Sequence, residues 1–122
     1  EYPIATHSNC KSLCSNKRNL TDEQIRLITE KNGLIGLCFY PEFLNGNVFE
    51  AIYQNICHLL NLGAEDNIAI GTVFDGGVMD KSLDSIDKIP NLLMFLENKG
   101  IQKSLLDKIF YQNALKHFTN KA

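Results

Sequence analysis

The run Leu34 to Tyr40, LIGLCFY, is an unbroken apolar stretch between two polar, helix-patterned stretches. A strand with one wet face alternates apolar and polar residues, whereas a continuous apolar run marks a strand buried on both faces. Such strands belong to parallel sheets covered by helices. Two shorter runs accompany it. Pro3-Ile4-Ala5 opens a strand over Pro3–Thr6, and Ile68–Thr72 forms a third beside the Leu34–Phe39 core of the central run.

Helices fill the intervals. Leu20 to Asn32 begins with Thr21 as cap, Gln24 three residues on, and Leu20 placed to staple to Ile25. Ile25, Ile28 and Leu27 form its apolar face, and Asn32-Gly33 ends it. Asn47 and Glu50 start a second helix. Val48, Ala51, Ile52, Ile56, Leu59 and Leu60 follow helical spacing in it, and Gly63 closes it. Phe74-Asp75-Gly76-Gly77 is a turn, and Val78 to Asp87 a loop. Pro90 suits the first turn of a third helix that ends at Lys99-Gly100. Ser104 with Asp107 begins the last helix, along which lie Leu105, Ile109, Phe110, Leu115 and Phe118. The order strand, helix, strand, helix, strand, helix, helix argues an α/β fold with parallel strands and right-handed crossovers.

Composition narrows the function classes. Lys and Arg number 12 against 14 Asp and Glu, so no basic stripe argues for nucleic acid. No apolar run is long enough to cross a bilayer. No leader pattern is visible, and the start at Glu1 leads us to expect a processed product or a piece of something larger. Four cysteines do not make a disulfide scaffold at this length, and Cys38 and Cys57 read as small core residues. A reducing, cytoplasmic compartment is the expectation.

The chemistry-bearing stretch is Tyr2 to Asn19, YPIATHSNCKSLCSNKRN, where an apolar run stops at His7 and enters a polar loop. The carboxyl end of a parallel strand is where α/β folds place their ligands. A lone His there also serves as a hydrogen-bonded structural residue. His7, Cys10 and Cys14 are spaced H-x2-C-x3-C, one donor short of a closed structural zinc site. His58 and His117 lie in helical patterns and do not complete it. Arg18 beside Lys17 reads, from the residues alone, as a solvated loop residue.

His7-Ser8-Asn9, then Cys14, then Arg18-Asn19 before a helix resembles the HSN…RN segment of the renal or membrane dipeptidases, the zinc-dependent M19 peptidases. Gly33 to Tyr40 is similar to that family's next strand. Ala69 to Gly77, AIGTVFDGG, is similar to its GIGSDFDG segment, and Ile89 to Leu93 and Asn113 to Phe118 to its tail. The resemblance covers essentially the whole chain, but only the carboxyl-terminal portion of such an enzyme.

It implies that residues 1–122 are one segment, the last strand–helix units of a TIM (β/α)8 barrel of the metal-dependent hydrolase type. Barrels of this kind need about 250 residues, so a segment like this should be marginal alone. The implied activity is dipeptide hydrolysis through a binuclear zinc site that activates a bridging water. The resemblance assigns His7 to one zinc and Arg18, with Asn19 beside it, to the substrate carboxylate. The other zinc ligands come from earlier strands. Asp75 matches the second Asp of the family's Asp-Phe-Asp-Gly and is the candidate catalytic residue, with turn geometry as its other role. Val73 stands where the first Asp, linked to proton handling, is found.

The expected partners are a dipeptide substrate in the complete protein and either the missing amino-terminal barrel half or a second copy. The isolated chain is expected to be inactive. The alternative is a non-catalytic α/β binding or assembly module that keeps the fold.

Overall fold

The computed structural model describes residues 3–5, 8–39, 44, 46–71, 83 and 86–119. Strands β1 (Ile4–Ala5), β2 (Leu34–Leu37) and β3 (Ile68–Ile70) form one sheet in that order. Both pairings are parallel, with Ile4 beside Leu34 and Ala5 beside Ile35, and with Ile35, Gly36 and Leu37 beside Ile68, Ala69 and Ile70. All three expected strands are present, shorter than the sequence reading, and every residue of β2 is buried.

Helix α1 (Asp22–Glu30) crosses from β1 to β2, and α2 (Val48–Asn61) from β2 to β3. The start of α1 is fixed locally. The Thr21 hydroxyl accepts from the Gln24 N–H at 3.2 Å, and the Gln24 side chain accepts from the Thr21 N–H at 2.9 Å. Such a reciprocal cap satisfies two donors that a helix start leaves open and is worth about 1 kcal/mol. Asn47 caps α2 by accepting from the Glu50 N–H at 3.0 Å. Gly63 and Gly100 follow α2 and a later helix, α3 (Ile89–Asn98), at φ of 82° and 99°, the left-handed geometry that glycine adopts at little cost and that stops a helix.

Ile25 of α1 and Ile52, Ile56 and Leu59 of α2 join Ile35, Leu37 and Ile68 in one core. Leu27, expected on the apolar face of α1, is instead 52% exposed. Its neighbour Ile28 takes the inward position.

After β3, a 3₁₀ turn (Ile86–Lys88) leads into α3 (Ile89–Asn98), which has Pro90 in its first turn. Asp87, placed in a loop by the sequence, belongs to that turn. The final helical region is broken where the pattern reads as continuous: α4 (Lys103–Asp107), a π turn (Lys108–Gln112) and α5 (Asn113–Thr119). At the π turn, Lys108 pairs with Glu65 at 2.6 Å and Asp66 at 2.9 Å. Asn113 donates to the carbonyls of Glu65 and Ile68, both at 2.9 Å. These contacts anchor the region to the start of β3. Among the described residues, no helix is long and apolar enough to cross a membrane.

Candidate functional site

The loop from Ser8 to Leu20 leaves β1 at the carboxyl end of the sheet and carries Arg18. Three buried asparagines hold it. Asn9 accepts from the Cys38 N–H and donates to the Cys38 carbonyl, both at 2.8 Å. Asn19 accepts from the Asn9 N–H at 3.1 Å and donates to the Cys14 carbonyl at 2.9 Å. Asn55 of α2 accepts from the Cys10 N–H at 2.8 Å and donates to the Ala51 carbonyl at 2.8 Å. Backbone bonds complete the frame: Ser8 N–H to the Gly36 carbonyl at 3.0 Å, Leu20 N–H to Asn9 at 2.8 Å, and Lys11 N–H to Leu20 at 2.7 Å. A loop of this length carries many backbone donors and acceptors, and burying them unpaired would cost more than the fold could bear. The asparagines supply partners of both kinds.

Arg18 lies at the exposed tip, on a turn where its N–H donates to Asn16 Oδ1 at 2.9 Å. Its neighbour Asn19 is 2% exposed, and both ends of its side-chain amide are engaged by the loop. The two residues grouped by the sequence as carboxylate binders therefore have different places. Arg18 faces outward, and Asn19 holds the turn behind it. His7, Val73 and Asp75 lie outside the described residues.

Cys10 is buried in the core, and its Sγ donates to the Asn55 carbonyl at 3.9 Å. Burial, and to a lesser degree the nearby Asp22 charge, push its thiol from 9.0 up to about 12. A zinc ligand must be a thiolate, so this environment opposes the local His7–Cys10–Cys14 reading. Among the described residues, no group of three or more His, Cys, Asp or Glu converges in a way that could hold a metal.

One cluster was not anticipated. His58 Nε2 lies 2.8 Å from Asp22 Oδ1 and 3.1 Å from Ser12 Oγ. Ser, His and Asp here are not a nucleophile relay. A relay needs serine on one imidazole nitrogen and the acid on the other, and both contacts share Nε2. The imidazole instead clamps the loop to the start of α1. Asn55 was also missed, although a lone Asn within the apolar spacing of α2 was the visible signal.

A cavity of about 480 Å³ lies at the opposite, amino end of the strands, lined by Thr29, Asn32, Leu34, Asn67 and Asn113 among others. It is remote from the Arg18 loop.

Comparison with known proteins identifies the family of the chain. The family model described as membrane dipeptidase (peptidase family M19) matches residues 1–121. An uncharacterized protein of the pqqA 5′ region of Klebsiella pneumoniae is 34% identical over 96% of the chain and 46% of that relative. An uncharacterized dipeptidase of Schizosaccharomyces pombe is 27% identical over 91% of the chain and 29% of its own length. A metallo peptidase from Rhodobacter sphaeroides, solved with a phosphinate mimic of the dipeptide L-Ala-D-Ala, superposes with a TM-score of 0.85 at 29% identity. It is covered over 34% of its length, against 91% of this chain. The chain thus spans less than half the length of these relatives. It belongs to the membrane dipeptidase family, peptidase family M19.

Proposed function

We propose that this chain is the carboxyl-terminal part of a zinc-dependent, dipeptidase-like hydrolase built on a (β/α)8 barrel, and that it supplies the group that holds the substrate's carboxylate. The observation that carries this reading is its likeness, at a TM-score of 0.85, to a family M19 peptidase solved with a dipeptide mimic. Arg18 supports it from within the chain. A guanidinium presents a planar fork that pairs with both carboxylate oxygens, and Arg18 stands exposed on a loop whose frame is buried. Asn19 acts through position, by holding the turn. His7 is the imidazole that this chain would offer a zinc ion. The remaining donors would come from the rest of the protein.

The isolated chain should hydrolyse no dipeptide. In the complete protein, Val73 in place of the family's acid should make turnover slow. Asp75 is the nearest carboxylate in the motif and the candidate for any proton handling that remains. The test is dipeptide hydrolysis by the complete protein before and after chelation. Activity that chelation leaves untouched would remove zinc from this reading, and no activity even with Val73→Asp would replace it with that of a non-catalytic module keeping the fold. Val73 is the feature that favours that alternative.

A further inference from the structure

The buried polar side chains among the described residues are five asparagines, and they divide into two kinds. Asn9, Asn19 and Asn55 frame the Arg18 loop and use both ends of their side-chain amides. Asn67 and Asn113 use only the nitrogen. Asn67 Nδ2 donates to the Gly33 carbonyl at 2.8 Å. Asn113 Nδ2 uses both of its hydrogens, on the carbonyls of Glu65 and Ile68. Carbonyl partners require a donor, so the other end of each amide is the oxygen. Among the described residues neither Oδ1 accepts a hydrogen bond, and neither is sealed from solvent. Both residues are 6% exposed, and both line the cavity at the amino end of the strands. The two unused oxygens therefore open on that cavity. Thr29, also in its lining, turns its hydroxyl hydrogen to the Ile25 carbonyl at 2.9 Å and leaves only lone pairs to offer. The buried wall is one of acceptors.

Charge completes the lining. Asp66 shares the Lys108 ammonium with Glu65, so two carboxylates face one cation and a negative charge is left over. Lys116 of α5 lines the same cavity and makes no ion pair with Asp66 or with any other described residue. We propose that this cavity binds a free α-amino acid, its ammonium against Asn67 Oδ1, Asn113 Oδ1 and the Asp66 carboxylate, and its carboxylate against Lys116. An ammonium has three donors and no acceptor, which matches three oxygens. The cavity measures about 480 Å³. Small-molecule sites run from roughly 300 to 1,000 Å³, so there is room for the amino acid's own side chain beside Leu34. The class is that of the products of dipeptide hydrolysis. The assignment nevertheless uses only groups that line this cavity, at the end of the sheet away from Arg18.

The test is to titrate the isotope-labelled chain with L-leucine and follow the asparagine side-chain amides by nuclear magnetic resonance. The Asn67 and Asn113 signals should move to saturation, while those of Asn9, Asn19 and Asn55 stay. Isocaproate, which lacks the ammonium, and isoamylamine, which lacks the carboxylate, should each bind at least about tenfold more weakly, as when hydrogen bonds to a charged group are lost. Lys116→Met should weaken leucine as much, and Lys116→Arg should recover most of the affinity. Asp66→Asn keeps an oxygen but loses the charge, and should weaken leucine to a lesser degree. Asp66 and Lys116 are exposed at the rim, so these variants should melt like the wild-type chain. The proposal is overturned if neither the Asn67 nor the Asn113 signal moves, which would leave the cavity to water. It is also overturned if isocaproate or isoamylamine binds as well as leucine, the behaviour of an unselective gap, or if Lys116→Met binds leucine unchanged. Movement confined to the Arg18 loop would put leucine at the other end of the sheet and overturn it too. Leucine binding here, beside a complete protein that cleaves no dipeptide, would sink the functional reading and leave this one standing.

Discussion

Asn9 pairs with Cys38 as a strand would. Its side-chain oxygen accepts the Cys38 N–H and its side-chain nitrogen donates to the Cys38 carbonyl, each at 2.8 Å. The ladder between β1 and β2 therefore continues past Ser8 through a side chain, while the backbone turns away into the Arg18 loop. Asn9→Ala should remove a hydrogen bond from each of two buried backbone groups of Cys38. Buried groups stripped in this way cost roughly 1–3 kcal/mol each, so a loss of about 3 kcal/mol is expected in urea unfolding. Asn9→Asp keeps the acceptor and loses the donor, and should also be destabilised. A loss below about 0.5 kcal/mol for the alanine variant, the range of a neutral surface change, would show that the pair is dispensable.

Gly33 sits tightly between Pro3, just before β1, and Ile28 of α1. A Cβ there would collide with the Pro3 carbonyl oxygen, and would lie 2.8 Å from Ile28 Cγ2 and 2.9 Å from Pro3 Cγ. That same carbonyl accepts the Leu34 N–H at 2.9 Å, the bond that sets the β1–β2 register. Gly33→Ala should therefore cost about 2 kcal/mol, within the usual range for overpacking. Hydrogen exchange should show the Leu34 amide losing protection before those of α2. Equal loss in both places would mean that the strain is spread through the core rather than held at β1.

Cys10 gives the protein an alkaline limit. Its folded thiol is raised to about 12 from 9.0, chiefly by burial. Between those values the folded state holds a proton that the unfolded state has lost, so stability falls as pH rises. The contribution is complete below about pH 9 and is lost progressively toward pH 12. Chemical unfolding followed from pH 8 to 10.5 should show this decline, and Cys10→Ala should show a shallower one from a lower starting point. Parallel slopes for the two proteins would remove Cys10 from the explanation. Alkylation of the native chain at pH 8 should also spare Cys10, because a buried thiol is not a thiolate there.

The elements that could be read from sequence are those fixed by neighbours in the chain. Thr21 and Gln24 announce α1 because both halves of the cap lie within four residues. The run from Leu34 announces a strand because burial on both faces removes the polar alternation. The loop's frame could not be read in this way. Asn9 meets Cys38 across 29 residues and Cys10 meets Asn55 across 45, and nothing local says which of the chain's asparagines will be buried. Cys10 looked like a metal donor by spacing, yet the fold places it in the core. The π turn carries no periodic mark. Leu115 and Phe118 fit helical spacing, yet they are exposed. Spacing reports which face is apolar, not what covers it.

Arg18 and Asn19 are adjacent, and their substitutions should separate binding from architecture. Asn19 is buried and bridges the Asn9 N–H to the Cys14 carbonyl. Asn19→Ala should cost roughly 2 kcal/mol of stability, as expected when a buried hydrogen-bonding group loses its partner. Arg18 is exposed at the turn, and its backbone N–H, rather than its side chain, makes the bond to Asn16. Arg18→Ala should therefore shift stability by no more than about 0.5 kcal/mol, the usual range for an exposed site. In the complete protein its effect should appear in binding. KM for dipeptides with a free carboxylate should rise by about tenfold or more, while kcat changes little, as when a contact present both before and during reaction is removed. A substrate with its carboxylate amidated should be insensitive to the change. Arg18→Lys keeps the charge but loses the planar fork, and should recover part of the affinity. If Arg18→Ala lowers kcat and leaves KM unchanged, or affects the amidated substrate equally, Arg18 does not hold the carboxylate, and the loop's exposed tip would need another purpose.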